Sequence, residues 1–234
     1  MNRVKIAFFL DVMEEDFDGV ANTMHQVIKR IPNDLLEPIF ITPQPPKKDF
    51  PYPVYTCPYW SMPFNQKDYR FALPGKMKSL KRTLDQFGPD IIHFSSPSAM
   101  GSYAVKYARA NKLPVTTIYH THFPSFATYY LRFIPWIEQL SDPIIKRLFW
   151  VYRAVDRVLA PTPTMRDYLL GKGVKEEAIN IWGRGVSTDR FGPHHRDENL
   201  WPSLSPTTKK VIFVSRLVKE KEPKTLIRLY QLLA

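Results

Sequence analysis

Short apolar runs of strand length alternate with amphipathic helical stretches along most of the chain, and this rhythm restricts the fold more than any single motif. Residues 4–10 form a near-continuous apolar strand, and residues 20–31 a helix that ends before Pro32. A second strand at 38–42 leads into a loop rich in Pro and aromatic residues at 43–64, with a short strand at 54–57 inside it. A helix at 74–87, a strand at 90–94, a helix at 98–110 and a strand at 115–119 follow. An aromatic excursion at 122–155 then precedes a strand at 157–160, a helix at 164–170 and a last strand at 179–182. This alternation predicts an α/β fold: a Rossmann-like parallel sheet, helices on both faces, right-handed crossovers, and a ligand crevice outside the C-terminal ends of the strands.

The polar segment at 183–208, which contains Gly and Pro, reads as a linker between a domain at 1–182 and the start, at 209–234, of a second Rossmann-like domain that is truncated. In that second part, residues 211–214 read as a short buried strand. The turn after it carries Arg216, Lys219 and Lys221 before a helix opens at Pro223. Free amides at a helix start and cations beside them suit a diphosphate. A solvated basic turn has the same residues.

Apolar residues make up 44% of the 234, enough for a sizeable core, so the 22 prolines punctuate loops rather than mark disorder. The single Cys57 allows no internal disulfide and fits a reducing compartment. The apolar run at 6–10 is too short for a signal-peptide core and is soon followed by Glu14-Glu15-Asp16, and no stretch has the length of a membrane span. A cytoplasmic protein is expected.

The formal net charge of +11 is concentrated in two places. Residues 205–234 hold seven Lys or Arg against two Glu, and residues 70–82 hold five with no acid. The second patch lies on the helix at 74–87. There Met77, Leu80, Leu84 and Phe87 form an apolar stripe, while Lys76, Lys78, Lys81 and Arg82 lie off it. Its outward face suits anionic lipid headgroups, nucleic-acid phosphates or plain solvent, and no recognition motif for nucleic acid accompanies it.

Three strand-end loops hold the candidate chemistry. After the first strand, Asp11 to Val20 carries Asp18-Gly19 just ahead of a helix, without a G-x-G-x-x-G fingerprint. Gly19 is open to two readings, a turn glycine or a point of close ligand approach. Asp16 and Asp18 have the spacing to chelate a divalent ion, but no third ligand is evident. After the strand at 115–119, His120 stands at the expected crevice. It is either a structural histidine or a neutral imidazole that bonds a sugar hydroxyl. His120 and His122 alone do not make a zinc site. His93 lies within its strand and reads as core; His194 and His195 fall in the linker and read as solvated.

Taken in order, D-G-V at 18–20, P-D-I-I-H at 89–93, Y-H-T at 119–121, R-G-V-S-T-D-R-F at 184–191 and V-S-R-L-V-K-E-K at 214–221 resemble glycosyltransferase family 4, retaining sugar transferases of GT-B fold. The resemblance covers essentially the whole chain and is closer to enzymes that glycosylate lipids. It implies a nucleotide-diphosphate sugar as donor substrate, a lipid or other hydroxyl acceptor, and no metal or other cofactor. It places Gly19 in the loop facing the donor phosphates, His120 at the donor sugar near the reacting carbon, and Arg216 and Lys221 on the diphosphate as it leaves. It implies that the basic helix, with Lys76, Lys78, Lys81 and Arg82, meets an anionic membrane surface on the cytoplasmic side, and no nucleic acid is expected as a partner. Asp18-Gly19 stands where many relatives carry two glycines, and Ser187 where the linker motif often has Asp. Because the remainder of the second domain is missing, incomplete catalysis by this chain alone is expected, and a non-catalytic binding or assembly subunit of a split glycosyltransferase is the alternative.

Overall fold

The computed structural model describes residues 3–61, 69–73, 78–120, 137–197, 200, 205, 207–215, 217 and 221–233, with the side chains of 137–144 and 233 left aside. It divides into two compact units, Met1–Arg184 and Gly185–Ala234.

The first unit is built on seven parallel strands. They are β1 (Val4–Phe9), β2 (Leu36–Thr42), β3 (Val54–Thr56), β6 (Ile91–Phe94), β7 (Val115–Ile118), β8 (Arg157–Ala160) and β9 (Ile179–Ile181). Their spatial order is β3-β2-β1-β6-β7-β8-β9, so the direction of winding reverses between β1 and β6. That point is where open α/β sheets form their crevice. A separate antiparallel pair, β4 (Tyr59–Ser61) and β5 (Arg70–Ala72), stands beside the main sheet as a hairpin.

Alternation along β1 divides the core. Ala7 and Phe9 point into the larger cluster, which they share with Leu80 and Leu84 of α2 (Lys78–Phe87), Ala104 and Val105 of α3 (Ala99–Ala110), and Phe149 and Tyr152 of α4 (Ile137–Arg153). Phe8 and Leu10 point to the opposite face, where Met24 and Ile28 of α1 (Gly19–Ile28) cover them with Phe40. Phe8 stacks on Phe40 with centroids 5.1 Å apart. Both faces of the sheet are thus buried, which is why its strands read as apolar runs.

Helix starts are set by local chemistry. Asp18 Oδ1 accepts from the amides of Val20 and Ala21 at 2.9 and 2.8 Å, and Ser98 Oγ accepts from Met100 N at 3.1 Å. Thr162 Oγ1 accepts from Met165 N at 3.2 Å ahead of α5 (Pro163–Gly171), which opens on a proline. At the other edge of the sheet, Asp90 Oδ2 accepts from Lys5 N and Asp156 Oδ2 from Val115 N, both at 2.8 Å. Each carboxylate secures the start of a neighbouring strand.

Two elements lie outside the expected ones, and one expected element does not form. The aromatic excursion contains α4, a 17-residue helix. Its Phe and Trp content gives only weak helical preference, and packing of Phe149 and Tyr152 in the core beneath the sheet outweighs that. Of the hairpin, β4 falls in the 43–64 segment expected as loop, and β5 in a stretch between that loop and the helix at 74–87 for which no element is expected. Residues 211–214, expected as a buried strand, form none. Val211, Ile212 and Val214 are 70, 72 and 90% exposed, and among the described residues no strand pairs with them. A strand without ladder partners has nothing to satisfy its amides or cover its side chains. The helix after it does form, as α6 (Pro223–Leu233).

Helix α3 approaches β6 closely enough to require a glycine. A Cβ at Gly101 would lie 2.3 Å from Ser96 O and 2.9 Å from Phe94 Cδ2. Gly101→Ala is therefore expected to destabilise the first unit by about 1–3 kcal/mol, the usual scale for overpacking. Urea unfolding of both proteins measures this, and an unchanged midpoint would contradict the close packing of α3 on β6.

Candidate functional site

Because the seven strands are parallel, their C-terminal ends share one edge, and a set of polar side chains from separate loops gathers there. Asp11 follows β1, Ser95, Ser96 and Ser98 follow β6, His120 follows β7 and Arg184 follows β9. Asp11 and His120 are two strands apart, roughly 10 Å across the sheet.

The Ser96 hydroxyl donates a short hydrogen bond to Asp11 Oδ2, tying the two strands that flank the reversal point. Burial raises the Asp11 carboxyl to a pKa of about 6; a hydrogen bond from Ser98 works against the shift, and the charge of Asp18 adds to it. Cys57, just after β3, is buried, and its thiol is pushed up to about 12 by burial and then by the Asp11 charge. Tyr69 shows the same two influences, burial first, and is also raised.

His120 is held by its neighbour in the last loop. The Arg184 guanidinium donates to the His120 carbonyl at 3.1 Å and approaches Nδ1 at 3.4 Å. An arginine can only donate, so Nδ1 must be the ring acceptor, and the neutral ring then carries its proton on Nε2. That Nε2 is buried and has no hydrogen-bond partner among the described residues. Burial, then Arg184, then His93 depress the imidazole to a pKa of about 3. The ring is thus a neutral N–H donor at the crevice edge, suited to a hydroxyl or ether oxygen of a ligand.

His93 belongs to the interior. Its Nδ1 lies 2.8 Å from Thr116 Oγ1, its ring meets Phe8 edge-on at 5.4 Å, and burial lowers it to about 4. His194 and His195 are exposed in a short turn of the second unit, with His195 Nε2 2.7 Å from the Asp189 carbonyl.

At the start of α1 the arrangement differs from a simple phosphate cradle. The Asp18 side chain takes the amides of Val20 and Ala21, and its carbonyl takes that of Asn22 at 3.0 Å. Gly19 itself is exposed, and a Cβ there would meet nothing within 4 Å. The backbone does not demand glycine at this position; its lack of a side chain leaves the helix end open. The Asp18 carboxylate is thus engaged as a helix cap. No group of three or more His, Cys, Asp or Glu side chains able to hold a metal occurs among the described residues.

Of the remaining expected residues, Lys221 is exposed at the turn before α6, and Arg216 lies outside the described residues. On α2, Lys78, Lys81 and Arg82 are exposed while Leu80 and Leu84 are buried; Lys76 lies outside the described residues. Lys81 bonds Asp85 one turn on at 2.6 Å, so the outward face is less uniformly cationic than its lysines suggest. Sequence reasoning assigned no role to Asp11, Ser96 or Arg184. All three directly follow strands, and that position was the available signal.

The family model for Glycosyltransferase Family 4 matches residues 17–190. A GDP-mannose-dependent alpha-mannosyltransferase of Mycobacterium tuberculosis is 28% identical over 93% of this chain and 57% of its own length. The alpha-monoglucosyldiacylglycerol synthase of Streptococcus pneumoniae is 28% identical over 69% of this chain and 37% of its own. The chain thus spans little more than half of the first relative and less of the second. Among solved structures, Anabaena HepE in complex with UDP shares the fold, with a TM-score of 0.52 and 12% identity over 80% of this chain and 45% of that one.

The shifted groups pull acid stability in opposite directions. His93 and His120 titrate below the ordinary 6.5 when folded, so their contribution is present above that pH and is lost as pH falls toward about 4 and about 3. Asp11 titrates above its ordinary 3.8, so its contribution is full below that value and is lost as pH rises through about 6. His120→Gln is expected to lose less stability than the parent between pH 6.5 and 4, and Asp11→Asn to lose more. Denaturant midpoints across that range check both signs, and parallel curves for all three proteins would contradict the assignments.

Proposed function

This chain belongs to glycosyltransferase family 4, and from that premise we propose that it forms the acceptor-side part of an enzyme moving a hexose from a nucleotide-diphosphate sugar to a hydroxyl acceptor with retention of configuration. The observation that carries this is His120: a neutral imidazole at the crevice edge, its tautomer set by Arg184 and its Nε2 left for a ligand. An uncharged donor there bonds the donor sugar without opposing the positive charge that grows at the reacting carbon.

Departure of a nucleoside diphosphate builds negative charge on the leaving oxygens. In this proposal Arg216 and Lys221 stabilise it, with the helix end at Gly19 open to the phosphates and no metal required. Transfer is front-side, with no protein nucleophile. In this proposal the acceptor is a lipid and the protein works on the cytoplasmic face of a membrane; a relative named as an alpha-monoglucosyldiacylglycerol synthase supports the lipid. The outward cations of α2 hold it there by reversible attraction to anionic headgroups at about 1 kcal/mol each. Among the described residues no helix is long and apolar enough to cross a membrane.

Tested with a panel of nucleotide sugars, the 234-residue chain alone is expected to transfer negligibly, and the chain joined to a matching second domain to transfer with chelator present. His120→Ala should lower the rate of the joined protein at least about 100-fold, within the range for positioned polar groups in active sites. Full activity of that variant, or loss of activity with chelator, would contradict the proposal. Nucleoside diphosphate binding without turnover would favour a non-catalytic subunit.

Calorimetry on the joined protein tests the diphosphate contacts separately. Arg216→Ala and Lys221→Ala are each expected to weaken nucleoside diphosphate binding by about 2–5 kcal/mol, the scale for removing one partner of a desolvated charge pair. Lys219→Ala should cost less. Equal losses at the three positions would indicate a diffuse basic patch instead.

A further inference from the structure

We propose that the β4–β5 hairpin is an interfacial membrane anchor, its Trp60–Phe71 face entering an anionic bilayer beside the cations of α2; this rests on the membrane attachment proposed above and assigns its apolar half. The hairpin pairs Tyr59 with Ala72, Trp60 with Phe71 and Ser61 with Arg70. Alternation along β5 then separates two faces. Ala72 is buried in the core that holds Leu80 and Leu84 of α2, so its neighbour Phe71 is turned away from that core. Phe71 and its cross-strand partner Trp60 are 41 and 52% exposed, with centroids 6.1 Å apart.

Among the described residues of the first unit, the exposed large aromatics are Tyr59, Trp60 and Phe71, all on this hairpin. Tyr69, half-buried against Phe17, backs Phe71 at 4.9 Å, and the Arg70 guanidinium lies over the Tyr59 ring at 4.5 Å. A two-stranded hairpin is marginal in water by itself, and one that turns Trp and Phe outward forgoes burial that would have supported it. Contiguous exposed aromatics of this kind mark an interaction surface.

Charge identifies the partner. The hairpin's second strand and the start of α2 are six residues apart, share one core, and lie in the 70–82 segment that holds five cations and no acid; Asp85, further along α2, pairs with Lys81. A protein groove would match the aromatics alone. An anionic bilayer matches both, since Trp and its neighbours settle at the headgroup level while Lys and Arg meet the lipid charge.

The test uses the whole chain with vesicles of phosphatidylcholine, with and without phosphatidylglycerol. The parent should cosediment with phosphatidylglycerol vesicles in a salt-sensitive way. Trp60→Ser with Phe71→Ser should bind about tenfold or more weakly, in proportion to the apolar area no longer buried, with an unchanged circular dichroism spectrum. Trp60→Phe, which keeps the hairpin apolar, provides a second reading: brominated lipids should quench the parent's fluorescence more than that of this variant. If the double variant binds as well as the parent while the Lys78, Lys81 and Arg82→Ser variant does not, the anchor is overturned and attachment through α2 stands. Equal quenching of parent and Trp60→Phe overturns it too. Failure of the parent to bind these vesicles overturns the anchor together with the membrane attachment it rests on.

Discussion

Parallel strand direction is the constraint on which the rest of the first unit depends. Seven strands that run one way give the sheet two chemically different edges. One edge is closed by carboxylates, with Asp90 accepting from the amide of Lys5, the second residue of β1, and Asp156 from that of Val115, the first of β7. The other edge gathers Asp11, Ser96, His120 and Arg184 from four separate loops. No loop brings these residues together through its own sequence; strand order does. The bond from Ser96 to Asp11 crosses the point where the winding reverses, and so ties the crevice floor on both sides.

Burial at that edge favours neutral forms. The Asp11 carboxyl is raised to about 6 and the His120 imidazole lowered to about 3, each chiefly by removal from water. At neutral pH the histidine is left uncharged beside a permanently charged arginine. The pair is therefore not two interchangeable cations but a fixed charge that orients a dipole. In the sugar transfer proposed above, a second positive charge near the reacting carbon would oppose the transition state, whereas an N–H dipole bonds an oxygen at little cost.

Much of this was legible in the sequence because periodicity and position carry it. The apolar strands, the helix after Gly19, the amphipathic α2 and the placement of His120 at a strand end all follow from patterns of neighbouring residues. The α4 helix was not legible, because its Phe, Trp and Tyr content has weak helical preference and its form depends on the sheet beneath. The partners of His120 were not legible either. Arg184 is 64 residues away, and only the adjacency of strand ends makes the contact. The run at 211–214 failed in the opposite sense, having strand composition without a neighbouring strand. Composition selects a strand where a ladder exists and cannot supply the ladder.

Arg184 fixes His120 as a neutral ring with its proton on Nε2. Two-dimensional nitrogen-15 NMR of the histidine rings at neutral pH reads this directly. An unprotonated Nδ1 and a protonated Nε2 are expected for His120, with that preference weakened in Arg184→Ala. A protonated Nδ1, or a ring protonated on both nitrogens, would contradict it.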